Sequence, residues 1–135
     1  MNKVMLDTNI CIYLIKNRPF EVRKKFDLYE VGEICISSIS VSELYYGVEK
    51  SQMVEKNRRA LALFLAPLNV VEFDAKSAIE YGKIRALLES TGRVIGSLDM
   101  LIAAHARSLG ITLVTNNVKE FVRVDDLKVE NWVAD

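Results

Sequence analysis

The sequence predicts a three-layer α/β/α sandwich built on a mainly parallel central sheet. Short apolar runs alternate along the chain with longer stretches of helical spacing, the order expected of βα units. The runs are continuous, as in Ile34-Cys35-Ile36 and Leu113-Val114. Strands covered on both faces read this way, whereas half-exposed strands alternate. Right-handed crossovers between parallel strands then put helices on both sides of the sheet.

Lys3–Leu6 is the first strand and runs straight into Asp7-Thr8-Asn9. Ile10–Lys16 follows with helical apolar spacing, Pro19 closes it, and Glu21–Tyr29 is a second amphipathic helix. Ile34–Ile36 is the second strand. Ser37, Ser38 and Ser40 offer N-caps for a helix through about Lys50. Met53–Leu65 is a longer helix with basic residues on one side, and Asn69–Phe73 is a third strand. Asp74 caps a helix over Ala75–Ser90, with Gly92 as its stop. Ser97 caps the next, Leu98–Leu109, which ends at Gly110. Ile111–Thr115 is the fourth strand, Asn116–Phe121 a turn or short helix, and Leu127–Val129 a last strand.

At 135 residues, 50% hydrophobic and 27% charged, the chain suits one globular domain over residues 1–135. It has no repeat or linker, and Pro19 and Pro67 lie far apart. Lys+Arg and Asp+Glu stand at 18 each, so the net charge is zero. That excludes a global basic field for nucleic acid and leaves local patches, a metal or a partner to do such work. Cys11, Cys35 and the single His105 cannot make a zinc set. The cysteines read as reduced core residues of a cytoplasmic protein. No signal peptide or membrane span is legible.

Ligands of such a sheet collect outside the carboxyl ends of its strands. Asp7 directly follows the first strand, and Asn116 and Asn117 follow the fourth. Glu43 lies in the helix after the second strand, and Asp99 in the first turn of the helix leading to the fourth. Each has an ordinary role as well. Asp7 suits an N-cap, Asp99 suits the positive end of a helix, and a lone helical Glu is usually solvated. Together they say more. Two carboxylates about 4 Å apart repel by about 4 kcal/mol at an effective dielectric near 20, so a convergent set takes up protons or a cation. Oxygen ligands without His or Cys select Mg²⁺, with Mn²⁺ able to substitute, and that suits phosphodiester hydrolysis. One histidine provides no pair for acid–base cleavage through the RNA 2′-hydroxyl, so the expected products are a 5′-phosphate and a 3′-hydroxyl. Among the basic residues, Arg93 and Lys119 flank the loops carrying Asp99 and Asn117 and are the candidate RNA contacts. Arg58, Arg59, Arg85 and Arg123 read as solvated faces, and Tyr45, Tyr46 and Phe121 as core or dimer residues.

Four ordered motifs then carry a resemblance over essentially the whole chain: Met5-Leu6-Asp7-Thr8-Asn9, Ser38–Gly47 with its Ser-Glu-Leu core, Gly96–Ala106, and Leu113–Phe121. Leu127–Trp132 also fits. The chain resembles the PIN-domain ribonucleases, and within them the VapC toxins of toxin–antitoxin pairs. The resemblance implies a PIN-like fold and an acidic Mg²⁺ site on Asp7, Glu43 and Asp99. Thr8, Asn9, Ser38 and Asn117 are the expected supporting residues. Many relatives carry a fourth acid where this sequence has Asn117, with Glu120 one turn later. Either Asn117 acts as a neutral ligand or Glu120 supplies the missing charge, and Glu120 is the expected catalytic acid. The resemblance further implies a homodimer, a VapB antitoxin whose C-terminal segment fills the active-site groove, and tRNA substrates, including the anticodon loop of initiator tRNA.

Two alternatives use similar residues. A PIN-fold nuclease in RNA or DNA processing would share the chemistry. An Asp-phosphorylated receiver-like protein would use Asp7 as acceptor, but it needs an acid pair ahead of that strand or an acid two residues after it, and this chain has Asn9 there.

Overall fold

The computed structural model describes residues 1–133. Five strands form one parallel sheet: β1 (Val4–Leu6), β2 (Ile34–Ser37), β3 (Asn69–Val71), β4 (Thr112–Val114) and β5 (Val129–Glu130). Seven helices connect them: α1 (Thr8–Lys16), α2 (Phe20–Phe26), α3 (Ser38–Glu49), α4 (Val54–Leu65), α5 (Ala75–Ser90), α6 (Ser97–Leu109) and α7 (Val118–Phe121). None is long and apolar enough to cross a membrane.

The strand order is β3-β2-β1-β4-β5. The chain works outward from β1 to β3, then crosses back over the sheet to β4. The switch point therefore lies between β1 and β4, where the crossovers part and leave a crevice at the strands' carboxyl ends. Asp7 directly follows β1 and Thr115 directly follows β4, at those carboxyl ends. The Asp7 N–H donates to the Val114 carbonyl at 2.8 Å, which ties the two ends together.

Strand pleating divides the apolar residues into two cores. Val4, Leu6, Ile34, Ile36 and Val114 face one way, onto residues of α1, α2, α3 and α4. Met5, Cys35 and Leu113 face the other, onto α5, α6 and Phe121 of α7. Both cysteines are free and buried. Trp132 is buried in the first core and stacks on Tyr29, with Nε1 donating to Glu130.

The structure moves several expected boundaries, each for a local reason. The second helix starts at Phe20 directly after Pro19 and stops at Phe26, short of Tyr29; a proline preorganises a helix start. The third strand ends at Val71 rather than Phe73, because the Phe73 N–H is taken by the Ser38 hydroxyl instead of a neighbouring strand. Ser97 is the first residue of α6 and not its cap, a position held by Gly96. The last strand sits at Val129–Glu130, in register with Leu113 and Val114. The sheet is parallel throughout.

Candidate active site

The crevice gathers its acids from four helices. Asp7 is the N-cap of α1 and is only 4% exposed. Its Oδ1 accepts the Thr8 N–H at 2.8 Å, and its Oδ2 accepts the Thr115 hydroxyl at 2.8 Å. Burial raises the Asp7 pKa, the bonds from Thr115 and Thr8 oppose that rise, and the charge of Glu43 adds to it. The cap bond holds one carboxylate oxygen and the Thr115 bond the other, so the group is fixed in place.

Glu43 sits on α3 beside Thr8, whose hydroxyl donates to Glu43 Oε1 at 2.8 Å. Asp99 is half-buried in the first turn of α6. Burial, then the charges of Asp7, Glu120 and Glu43, push its carboxyl up to about 6. Every acid named in advance therefore bears electrostatically on this one carboxyl. Each raises the cost of ionising it, which is the condition a cation relieves.

Thr115 is a site residue that sequence reasoning passed over as the end of a strand. It is fully buried, donates to Asp7 and accepts the Asn117 N–H at 2.9 Å. A hydrogen-bonded line therefore runs Glu43–Thr8–Asp7–Thr115–Asn117. The available signal was a hydroxyl at the end of a strand predicted to lie near Asp7. Replacing Thr115 by Val keeps the shape and deletes the bond to Asp7. The Asp7 pKa then rises further, so a pH–rate profile of Thr115→Val moves its acid limb upward, with activity about 10- to 100-fold lower, the usual cost of removing a partner behind a ligand. An unmoved acid limb would leave Thr115 a purely structural role.

The supporting residues divide. Thr8 and Asn117 belong to the line just described. Asn9 is exposed on the first turn of α1. Ser38 turns away, its hydroxyl on the Phe73 N–H. Arg93 and Lys119 are exposed near the ends of α5 and α7. Arg58 is paired with Glu49 and Glu55, Arg85 with Glu89, and Phe121 is core. Tyr46 is exposed, with Lys50 over its ring. His105 is buried, its Nδ1 2.8 Å from the Ser37 hydroxyl and its ring edge-on to Phe73, so it is not among the site's acids.

The donor set fits a hard divalent cation: the carboxylates of Asp7, Asp99, Glu43 and Glu120, with no His or Cys between them. Among the described residues no three His, Cys, Asp or Glu side chains are drawn tightly enough around one point to ligate an ion as they stand.

A family model described as PIN domain matches residues 4–127. A tRNA(fMet)-specific endonuclease VapC from Shigella flexneri is 50% identical over 132 residues, 98% of this chain and 99% of the relative. Ribonuclease VapC2 from Haemophilus influenzae is 50% identical over 133 residues, 98% of this chain and 100% of the relative. Among solved structures, DNA-bound VapBC from Salmonella typhimurium matches with a TM-score of 0.93 at 44% identity, covering 98% of this chain and 100% of that one.

Proposed function

We propose, since this chain belongs to the PIN-domain family, that it is the toxin of a VapBC-type pair: a Mg²⁺-dependent endoribonuclease that cuts tRNA and so halts translation. The observation that carries this reading is the set of acids at the switch point, each raising the pKa of Asp99. The VapC names of its relatives support the activity, and the tRNA(fMet) specificity in the name of the Shigella protein supports the substrate.

PIN-domain nucleases are generally divalent-metal dependent. In this chain Asp7, Asp99 and Glu43 would hold the ion, and Glu120 would add the charge that Asn117 lacks. A bound divalent cation supplies a lowered water pKa and a counter-charge for the phosphate. The protein's own part is positioning. Thr115 and Thr8 aim Asp7, and Thr8 also fixes Oε1 of Glu43. Water attacks phosphorus in line, the P–O3′ bond breaks and the departing 3′-oxygen takes a proton. No histidine stands beside the acids to activate a 2′-hydroxyl.

The protein would act in the cytoplasm as a homodimer held in check by a VapB antitoxin; the VapBC complexes among its structural neighbours support that partner. An antitoxin segment would lie in the cavity of about 410 Å³ that Ile12, Glu43, Leu44, Val48 and Leu61 help to line.

The test is incubation of purified protein with initiator and elongator tRNAs and Mg²⁺, followed by mapping of the ends. Initiator tRNA should be cut to 5′-phosphate and 3′-hydroxyl ends. Ends bearing 2′,3′-cyclic phosphate would exclude the mechanism, and intact initiator tRNA would exclude the substrate.

A further inference from the structure

The charge of this chain is balanced overall but not locally. Lys16, Arg18, Arg23, Lys24 and Lys25 stand against Glu21 alone within ten residues, which leaves thirteen cations and seventeen acids for all the rest. These ten residues form the end of α1, the turn after it and most of α2. Arg23 builds that turn, donating to Asn17 Oδ1 and the Leu14 carbonyl. Lys16, Arg18, Lys24 and Lys25 are exposed. Phe20 is 64% exposed among them, with the Lys24 ammonium 5.7 Å from its ring centre. An exposed aromatic ring set among cations suits a nucleobase with its phosphates.

The position of this corner relative to the acids matters most. Asp7 caps helix α1, which runs from Thr8 to Lys16, a length of about 13 Å at 1.5 Å per residue. The cavity beside it is lined by Glu43 and by Lys16 as well. A strand running from Asp7 along α1 spans that length in about four nucleotide steps, at ~3.4 Å per stacked step, and meets the corner at Lys16.

We propose that the α1–α2 corner, through Lys16, Arg18, Lys24, Lys25 and Phe20, is an RNA-docking subsite that holds the substrate strand beyond the scissile phosphate. The inference rests on the nuclease reading above. Its occupant is nucleic acid because the corner concentrates positive charge on a chain that is otherwise net acidic, and because Lys16 of the corner and Glu43 of the acids line one cavity.

The test compares wild type with Lys24→Glu/Lys25→Glu and with the milder Lys24→Gln/Lys25→Gln. Binding of a labelled anticodon stem-loop RNA is measured by fluorescence anisotropy in Ca²⁺, across a range of salt. Both pairs lie on an exposed helix face, and circular dichroism checks that the variants fold. The glutamate pair should weaken binding about tenfold at moderate salt, and the glutamine pair less. Loss of two phosphate contacts lowers the slope of log K against log salt by about 1.4 to 1.8. In cleavage the loss should fall on KM rather than kcat. Unchanged affinity and slope would overturn the subsite, as would variants that lose only affinity for the antitoxin. Failure of wild type to cleave would count against the nuclease reading, while the binding series would still decide on the corner.

Discussion

Asp99→Asn should abolish RNA cleavage and, in metal-free protein near pH 8, raise the melting temperature. The two effects share one cause. The Asp99 carboxyl is pushed up to about 6 by burial and by Asp7, Glu120 and Glu43. A carboxyl whose pKa is higher in the folded state keeps its proton longer there. Between its ordinary value and about 6 the folded chain binds more protons than the unfolded one, so stability from this group falls as pH rises through that window and stays reduced above it. Asparagine cannot ionise, so the variant escapes the loss. The two melting curves should nearly coincide at about pH 4 and separate by pH 7, with the variant higher. Mg²⁺ should raise the wild-type melting temperature and leave the variant nearly unmoved, since only a ligand of the folded state stabilises it. Activity should fall by at least about a hundredfold, because even groups one step removed from a metal ligand cost 10- to 100-fold. Asp7→Asn should be equally inactive but less stable than wild type. Both Asp7 oxygens accept hydrogen bonds in a buried place, and an amide nitrogen there would meet a donor. An Asp99→Asn protein that melts below wild type at pH 8, or cleaves at a similar rate, would remove the electrostatic account.

The order of elements and the candidate acids that act on Asp99 were legible because they rest on local pattern. Continuous apolar runs between amphipathic stretches give parallel strands under helices, and a parallel sheet places ligands at its carboxyl ends. Asp7 could be set there from its neighbours alone. Strand order is a different matter: only the crossing of the chain from β3 to β4 brings Asp7 beside Thr115, across 108 residues of sequence. Thr115 was missed for that reason, since its role depends on a partner from another strand. Ser38 and His105 teach the converse. A serine in the right motif spends its hydroxyl on the Phe73 N–H, and a histidine six residues past Asp99 is buried with Ser37 and Phe73. Spacing says which way a side chain leaves its own helix, not which neighbouring element meets it.

The fourth corner of the site yields the other large prediction. Asn117 occupies the N-cap position of α7 without a side-chain cap bond, and Glu120 sits one turn on. Of the two, only Glu120 carries charge, and it acts on Asp99 ahead of Glu43. We expect Glu120→Gln to lower kcat by about 10- to 100-fold and to raise the Mg²⁺ concentration needed for half-maximal activity. Asn117→Ala should stay within about threefold, because the Asn117 group bonded to Thr115 is its backbone N–H, which the substitution keeps. A structural readout separates this from a general weakening. In metal-free protein, carboxyl NMR titration of Glu120→Gln should show the Asp99 pKa moving down from about 6, as a like charge is removed, whereas Asn117→Ala should leave it in place. The double variant Glu120→Gln/Asn117→Asp moves the negative charge back by one turn of chain. It should recover part of the lost activity if the corner requires a charge rather than a particular side chain. If Asn117→Ala is the more damaging change and Glu120→Gln leaves both rate and Asp99 unaltered, the neutral amide holds the corner and the site works with three acids.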